Sequence, residues 1–350
     1  MKKKVAVALS GGIDSAVCAL LLKEEGYEVI GVTMRLLENE SATRRIDKAK
    51  EIAEKIRIPH YVVDFRDAFK EYIIRNFCEE FKRGRTPNPC IRCNEYIKFG
   101  ILLKEAKQLG AEYLATGHYA RIEYCREKGK YLLKKGCDPE KDQSYFLYRL
   151  TQKKLPYILM PLGNYNKKRV KEIARGQKLS LEAPQESQEV CFILENNYSE
   201  FLKRYFPQEI KPGPILDTRG KLIGEHKGIP FYTIGQRRGL GISSRMPLYV
   251  VNIDEKENTL IVGPESELYR SNLEVCKVSY VAKRIEKSLN LKIKIRYRHQ
   301  EALAEVHPRK DGKVYVKFTR PQRAITPGQA AVFYNEDVVV GGGIIEKVLT

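Results

Sequence analysis

The stretch Val5-Ala-Val-Ala-Leu-Ser-Gly-Gly-Ile-Asp-Ser15 decides the fold. Five apolar residues, Val5–Leu9, are enough for a short buried strand, and Ser10-Gly11-Gly12 stops them before they reach the length of an export signal. Helical spacing follows over Ser15–Glu25, so a strand passes into a helix through two adjacent glycines. Such glycines let the backbone turn tightly and bring its N–H groups close to a ligand. The helix behind them adds unsatisfied N–H groups and the positive end of its dipole. Ser10 and Ser15 can donate further hydrogen bonds, a set that suits phosphate oxygens. The plainer alternative is a tight strand-to-helix turn capped by Asp or Ser. The string is neither a G-x-x-x-x-G-K-[ST] loop nor a G-x-G-x-x-G loop.

Outward from this turn, strand-like and helical patterns alternate. Tyr27–Leu36 is strand-like, and Thr43–Arg57 carries Ile46, Ala49, Ala53 and Ile56 on one helical face. His60–Phe65 is again a strand, helical patterns cover Ala68–Lys82 and Glu95–Leu109, and Tyr113–Thr116 is a strand. This alternation predicts an α/β domain with a parallel sheet, binding its ligand at the carboxyl ends of the strands. Beyond about residue 208 the texture changes. Lys211-Pro-Gly-Pro214 breaks the chain and glycine-punctuated segments follow; from residue 246 short strands alternate with turns. Hairpins are expected around Glu255–Asn258 and Asn335–Asp337. The expected organisation is a parallel-sheet domain over 1–207, a small central linking domain over 208–271 and a C-terminal antiparallel β-barrel over 272–350.

The 350 residues are 43% hydrophobic and carry a net charge of +19. No apolar run approaches the length that spans a bilayer, which argues against a membrane protein and for a cytoplasmic one. The charge reflects either general solubility and heat adaptation or a polyanionic partner, to which basic surface is attracted through phosphate backbones. Leu291-Lys-Ile-Lys-Ile-Arg-Tyr-Arg298 alternates strictly, which predicts one strand with four cations along one face, suited to a phosphate backbone. Its alternative is a solvated strand face. The helical Lys167–Lys178 and Gln236-Arg-Arg238 add basic surface.

Eight cysteines are present, and a chain of this size without an export signal does not need disulfide staples. Thr86-Pro-Asn-Pro-Cys-Ile-Arg-Cys-Asn94 puts Cys93 just before the helix expected from Glu95, beside Arg92. That position predicts a lowered pKa and a partly formed thiolate. Ser187-Gln-Glu-Val-Cys-Phe192 offers Cys191 after a proline-containing loop. Either cysteine read alone is equally a small buried hydrophobe.

The S-G-G-x-D-S string resembles the loop of ATP-dependent adenylating enzymes, which cleave ATP between the α- and β-phosphates. Together with the two cysteine segments, Thr116-Gly-His-Tyr-Ala120, Lys141-Asp-Gln-Ser-Tyr-Phe-Leu147, Phe231-Tyr-Thr-Ile-Gly-Gln-Arg-Arg-Gly-Leu240 and Arg320-Pro-Gln-Arg323, it makes the chain resemble the tRNA-specific 2-thiouridylases over nearly its whole length. That family (MnmA, in the PP-loop superfamily) has an adenine-nucleotide-hydrolase-like N-terminal domain and thiolates the wobble uridine of certain tRNAs.

The resemblance implies that Ala8, Leu9, Ser10, Gly11, Gly12, Ile13, Asp14 and Ser15, with Met34 and Gly117, hold ATP, Asp14 acting through Mg²⁺. It implies a persulfide on Cys191, received from a sulfur-donor protein (a persulfide relay or cysteine desulfurase); inorganic sulfide is the alternative sulfur source, for the cluster-bound route. Cys93 is then the partner that releases the sulfur and closes a Cys93–Cys191 disulfide. Asn88, Pro89 and Cys90 flank the target base. His118, Lys141, Asp142, Gln143, Tyr297, Arg298 and Gln329 touch tRNA. In better-known members the position of Cys90 is an aspartate. Here Cys90, Cys93 and Cys191 offer three thiolates, a number that can hold a 4Fe–4S cluster with one iron left open, so cluster-bound sulfide stands beside the persulfide relay. Two other functions compete with this one. An ATP-dependent amide synthetase leaves the three cysteines unexplained, and an RNA-binding module with a decayed nucleotide site conflicts with intact Gly11, Gly12, Asp14 and Ser15.

Overall fold

Val5, Ala6 and Val7 have no exposed surface, so the opening strand, β1 (Lys4–Ala8), lies at the centre of its sheet. The structure is a computed structural model and describes residues 2–177, 179, 190–193, 198–205 and 210–349. Lys178 and residues 187–189 of the Cys191 segment lie outside the described residues.

The chain continues as α1 (Ile13–Glu24), β2 (Glu28–Arg35), α2 (Glu40–Ile56) and β3 (His60–Asp64). Asn39 caps α2 by accepting from the Ala42 N–H at 2.8 Å, satisfying one of the donors a helix start leaves open. Helix α3 (Arg66–Phe69) runs through a widened π-turn (Lys70–Arg75) into α4 (Asn76–Lys82). The next helix starts as α5 (Pro89–Arg92), widens into a π-segment (Cys93–Leu102) and ends as α6 (Leu103–Gln108). Strand β4 (Tyr113–Ala115) returns to the sheet. After the hairpin β5 (Ala120–Cys125) and β6 (Lys130–Lys135), β7 (Ile158–Leu159) completes it, and α7 (Lys167–Gly176) and α8 (Tyr198–Tyr205) follow.

The first sheet has the order β3-β2-β1-β4-β7, all parallel. Chain order reverses between β1 and β4, which makes the cleft beyond their carboxyl ends the place where such a sheet takes a ligand. The glycine turn leaves β1 there, and Thr116–Tyr119 leaves β4 there. Helix α1 is buried from Ser15 to Leu22, enclosed by the sheet, α2 and α7.

The central unit is a four-stranded sheet of β8 (Gly213–Asp217), β9 (Leu222–His226), β10 (Tyr249–Asp254) and β11 (Thr259–Gly263), in the order β10-β11-β8-β9 around Ile215, Val250, Leu260 and Val262. The C-terminal strands β12 (Tyr269–Tyr280), β13 (Leu289–Lys294), β14 (Ala302–Pro308), β15 (Val314–Arg323), β16 (Ala330–Asn335) and β17 (Val338–Leu349) pair antiparallel, and β12 pairs β17 to close a six-stranded barrel. Closure removes the exposed sheet edges. Both expected hairpins, β10–β11 and β16–β17, are present.

Two features depart from the expectation. The hairpin β5–β6 joins the barrel sheet through Lys134 opposite Val338, and Arg121 Nη2 meets Asp337 at 2.8 Å, so residues 120–135 belong to the barrel's sheet. Strand β13 stops at Lys294 instead of running to Arg298. Leu291, Ile293 and Ile295 face the core as predicted. The cations are not a continuous stripe: Lys292 is exposed, Lys294 turns into a cavity, and Arg296 donates to the Arg323 carbonyl at 3.0 Å.

Candidate functional site

A cavity of about 1750 Å³ opens at the carboxyl ends of β1 and β4, lined by all three units. That exceeds the few hundred to about 1,000 Å³ that a single small ligand needs. Its wall is strongly basic: Arg44, Arg45 and Lys48 come from α2, Lys98 from the π-segment, Lys167 and Lys171 from α7, and Lys294 and Arg298 from the barrel.

Ser10–Asp14 form its floor. Gly11 has φ +75°, and a Cβ there would lie 2.7 Å from the Arg45 carbonyl oxygen, so the loop needs glycine for both conformation and space. Gly12 begins α1 with no side-chain cap, leaving the first-turn N–H groups to a ligand. Ser15 is turned inward: its hydroxyl donates to the Gly12 carbonyl at 2.9 Å and accepts from the Ser10 N–H at 3.1 Å, so it braces the loop. The carboxylate of Asp14 is held by Lys167 Nζ, 2.8 Å from both oxygens, and by the Tyr119 hydroxyl at 2.7 Å. Gly117 is pressed against this loop; a Cβ on it would sit 2.9 Å from the carbonyl carbon of Asp14. Ala8, Leu9, Met34 and Gly117 are not among the cavity-lining residues; Leu9 is buried in the sheet.

The thiol helix begins earlier than expected. Asn88 caps it by accepting from the Ile91 N–H at 3.3 Å, with Pro89 in the first turn. Cys90 therefore occupies the first turn and opens to the cavity, while Cys93 lies one turn in and half-buried. The expected thiolate at Cys93 is not supported. Enclosure by protein pushes its thiol up to about 12, because burial disfavours the charged form. Arg92 gives no help, since its Nε donates to the Tyr72 carbonyl at 3.0 Å and its guanidinium lies 4.9 Å from the Tyr96 ring centre. The cation that opposes burial is Lys98, one turn further on. Burial likewise pushes Cys90 up to about 11, with Cys191 adding to the rise. Cys191 is exposed, and its thiol is raised by burial of its surroundings against the opposing charges of Arg45 and Lys98. All eight cysteines are free thiols. Among the described residues no three His, Cys, Asp or Glu side chains converge as a metal-holding group, so Cys90, Cys93 and Cys191 as placed do not fit a cluster.

Asn88, Pro89, Cys90, His118, Lys141, Asp142, Gln143, Tyr297, Arg298 and Gln329 all line the cavity. Several are committed to protein partners. Asp142, 7% exposed, accepts from the Gly136 and Ser144 N–H groups at 3.0 and 3.1 Å and from the Ser144 hydroxyl at 2.9 Å, which fixes the loop around it. Gln143 exchanges two hydrogen bonds with the Tyr119 backbone. Gln329 Nε2 donates to the Thr86 carbonyl at 2.8 Å. His118 is 8% exposed, its Nδ1 is 2.7 Å from the Thr116 hydroxyl, and burial followed by Lys98 holds its pKa well below the usual value. It is thus a neutral ring, not a phosphate-binding cation. Tyr297 packs on Phe146 at 4.5 Å. Lys167, Tyr119, Lys98 and Asn94 were not singled out as site residues, although Tyr119 lies within one motif, Asn94 ends another and Lys167 opens the basic helix; the i, i+4 spacing of Cys90, Asn94 and Lys98 was the available signal for Lys98 and Asn94.

Three family descriptions match the chain in succession. They are a tRNA methyl transferase HUP domain at residues 3–195, a tRNA methyl transferase PRC-barrel domain at 199–264 and an aminomethyltransferase β-barrel domain at 270–345. The chain is 51% identical over 356 residues to tRNA-specific 2-thiouridylase MnmA 2 of Caldanaerobacter subterraneus subsp. tengcongensis, covering 98% of each. It is 45% identical to tRNA-specific 2-thiouridylase MnmA of Acetivibrio thermocellus, covering 99% of each. A solved U34-tRNA thiolase, NcsA from Methanococcus maripaludis with its [4Fe-4S] cluster, aligns at a TM-score of 0.37 and 23% identity over 59% of this chain and 67% of its own. With the glycine loop, the paired cysteine segments and all three domain matches in one order, the chain belongs to the tRNA-specific 2-thiouridylase family.

Proposed function

We propose that this protein uses ATP to activate the 2-oxygen of the wobble uridine of tRNA and replaces that oxygen with sulfur. The supporting observation is a single basic cavity in which a phosphate-type loop and Cys90 face the barrel residues Lys294, Tyr297 and Arg298. A uracil carbonyl oxygen is a poor leaving group until it carries a phosphoryl substituent. The O2 atom attacks the α-phosphorus of ATP, pyrophosphate leaves, and the N3 proton is lost. Ser10–Ser15 and the start of α1 receive the phosphates, and Gly117 fixes that loop. Ala8, Leu9 and Met34 are kept as nucleotide-facing residues on family grounds. Mg²⁺ is commonly held by one or two carboxylates plus phosphate oxygens, and Asp14 fits that role. When bound, the cation neutralises charge on the leaving pyrophosphate. For this Lys167 leaves the Asp14 carboxylate, and its ammonium turns to the phosphates.

Sulfur arrives as a persulfide on Cys191, supplied by a donor protein. Its terminal sulfur attacks C2, and AMP departs with the former O2. The Cys93 thiolate then attacks Cys191 Sγ, forming a Cys93–Cys191 disulfide and leaving the sulfur on C2, and N3 regains a proton. A thiol reductant resets the pair. The persulfide route needs only Cys93 and Cys191 to meet, whereas a cluster needs all three thiols together, and no such group is found among the described residues. Asn88, Pro89 and Cys90 flank the base, while Lys141, Arg298 and the other cavity cations face the anticodon phosphates. No helix is long and apolar enough to cross a membrane among the described residues; a cytoplasmic site is the proposed compartment, in keeping with free thiols.

The test is mass spectrometry of nucleosides from tRNA incubated with ATP and a sulfur source. Wild type is expected to yield 2-thiouridine with AMP and pyrophosphate released in step. Cys191→Ser is expected to retain pyrophosphate release and yield no thiouridine. Wild-type protein that releases no pyrophosphate in response to tRNA would refute the reading.

A further inference from the structure

Asn94 presents a buried acceptor that nothing among the described residues satisfies. It is 3% exposed and lines the cavity in line with Cys90, four residues before it, and Lys98, four after. Its Nδ2 donates to the Phe146 carbonyl at 3.2 Å. A carbonyl can only accept, so this bond fixes which end of the amide is oxygen. The Oδ1 atom is then left without a hydrogen-bond partner among the described residues. Buried polar atoms in folded proteins are nearly always paired, and the exceptions call for a missing donor.

We propose that Asn94 is a specificity-determining residue whose Oδ1 accepts the N3–H of the target uracil. This rests on the reading that a tRNA uridine enters this cavity. Uracil offers an N–H between two carbonyl oxygens, whereas cytosine has an unprotonated N3 at the same edge, whose lone pair would face that of Oδ1. A site built to pair one polar atom rejects the analogue that lacks it more strongly than an apolar pocket does. The neighbours suit a flipped pyrimidine. Phe146, whose carbonyl orients the amide, packs on Tyr297 at 4.5 Å and gives an aromatic wall for stacking. Lys98, on the same helix face, can donate to a ring carbonyl.

The test compares Asn94→Leu with Asn94→Asp on transcripts carrying U34 or C34, read as tRNA-dependent pyrophosphate release at saturating ATP. The charged carboxylate of Asn94→Asp loses the bond to Phe146, as Leu does, but keeps an acceptor toward the cavity; protonated, it restores both. Leu is expected to lower kcat/KM for U34 transcripts by about tenfold to hundredfold and to narrow the U34:C34 preference, with Asp within about threefold of wild type. tRNA affinity, carried mainly by phosphate contacts, should change by no more than about twofold. Wild-type rates for Asn94→Leu, or an equal loss in Asn94→Asp, would overturn the assignment. Should Asn94→Leu fail to fold, the wild-type protein still decides: equal turnover of U34 and C34 transcripts overturns it. A wild type that releases no pyrophosphate with tRNA defeats the functional reading, and the base assignment with it.

Discussion

Replacing Gly117 by alanine tests the link between the β4 turn and the nucleotide loop. The added Cβ would lie 2.9 Å from the Asp14 carbonyl carbon and 3.0 Å from both the Asp14 oxygen and the Ser15 nitrogen. Carbon atoms settle at about 3.5–4.0 Å, so the two backbones must part by about 0.6 Å or more. All three obstructing atoms are backbone, so no side chain can rotate away. Overpacking of this kind costs about 1–3 kcal/mol of stability. A misplacement of about 1 Å at a reacting group costs on the order of a hundredfold in rate. A shift somewhat smaller than that should lower kcat/KM for ATP by about tenfold to hundredfold. The assay is tRNA-dependent pyrophosphate release over an ATP titration, normalised to folded protein by thermal melting. Gly176→Ala is the control, because no described residue lies within 4 Å of the Cβ it would add at the end of α7; it should be neutral or stabilising by up to about 1 kcal/mol. If Gly117→Ala keeps wild-type kcat/KM per folded molecule, the loop is not held by this contact and the reasoning fails.

Two further outcomes follow from the same site. Lys167→Met removes an ammonium 2.8 Å from both Asp14 oxygens, an attraction of about 6 kcal/mol at an effective dielectric of about 20 before desolvation is subtracted. If that ammonium transfers to the phosphates, the loss should read as about a tenfold to hundredfold drop in kcat/KM for ATP, the worth of one or two charge-assisted hydrogen bonds. An unchanged ATP titration would leave the Lys167–Asp14 ion pair with a structural role only. The second outcome concerns pH. The Cys93 thiol is pushed up to about 12, so its reactive thiolate is the minor form throughout the assay range. Below a pKa the thiolate fraction rises about tenfold per pH unit, so disulfide closure in a single turnover should accelerate with unit slope from about pH 6 to about pH 9. A plateau near neutrality would mean that the thiolate is already formed and that enclosure does not dominate.

The parallel sheet was legible because Val5–Leu9, Tyr27–Leu36 and His60–Phe65 are apolar runs of strand length separated by helical periods. The barrel was legible for the opposite reason, its short alternating segments joined by turn residues. The β5–β6 hairpin was not, since Lys130-Tyr-Leu-Leu-Lys-Lys135 pairs with a strand about two hundred residues away and local pattern carries no trace of that partner. The start of the thiol helix was misread by six residues, Glu95 for Pro89. Pro89 stands at the first helical position, where its missing N–H costs nothing, and Asn88 caps the start. The error propagated to chemistry: a Cys93 at a helix start would have a lowered pKa, and a Cys93 one turn inside, with Arg92 bound elsewhere, has a raised one. Asn94 was invisible for another reason. An unsatisfied acceptor exists only relative to its neighbours, and Phe146, which fixes the amide, is 52 residues on.

The loop that carries Asn88 and Cys90 depends on residues far along the chain. Thr86 donates its N–H to the Pro327 carbonyl at 2.9 Å, accepts from Gln329 at its own carbonyl and shares a short hydroxyl contact with Thr233 of the central unit. Arg85, one residue earlier, reaches the Ile345 carbonyl at 3.1 Å. The barrel therefore sets the position of the loop that carries Asn88 and Cys90 relative to the Ser10–Asp14 floor. Family motifs point to Gln329 as an RNA contact, yet its amide is already committed to Thr86. A side chain that lines the cavity and also holds the thiol loop ties the barrel's wall of the cavity to the placement of Cys90. The three units thus share one cavity and part of one core, Ala330, Val332 and Tyr334 of the barrel packing with Tyr145 and Tyr148 of the first: the glycine loop and the thiol loop come from the first unit, and the second and third hold the thiol loop in place.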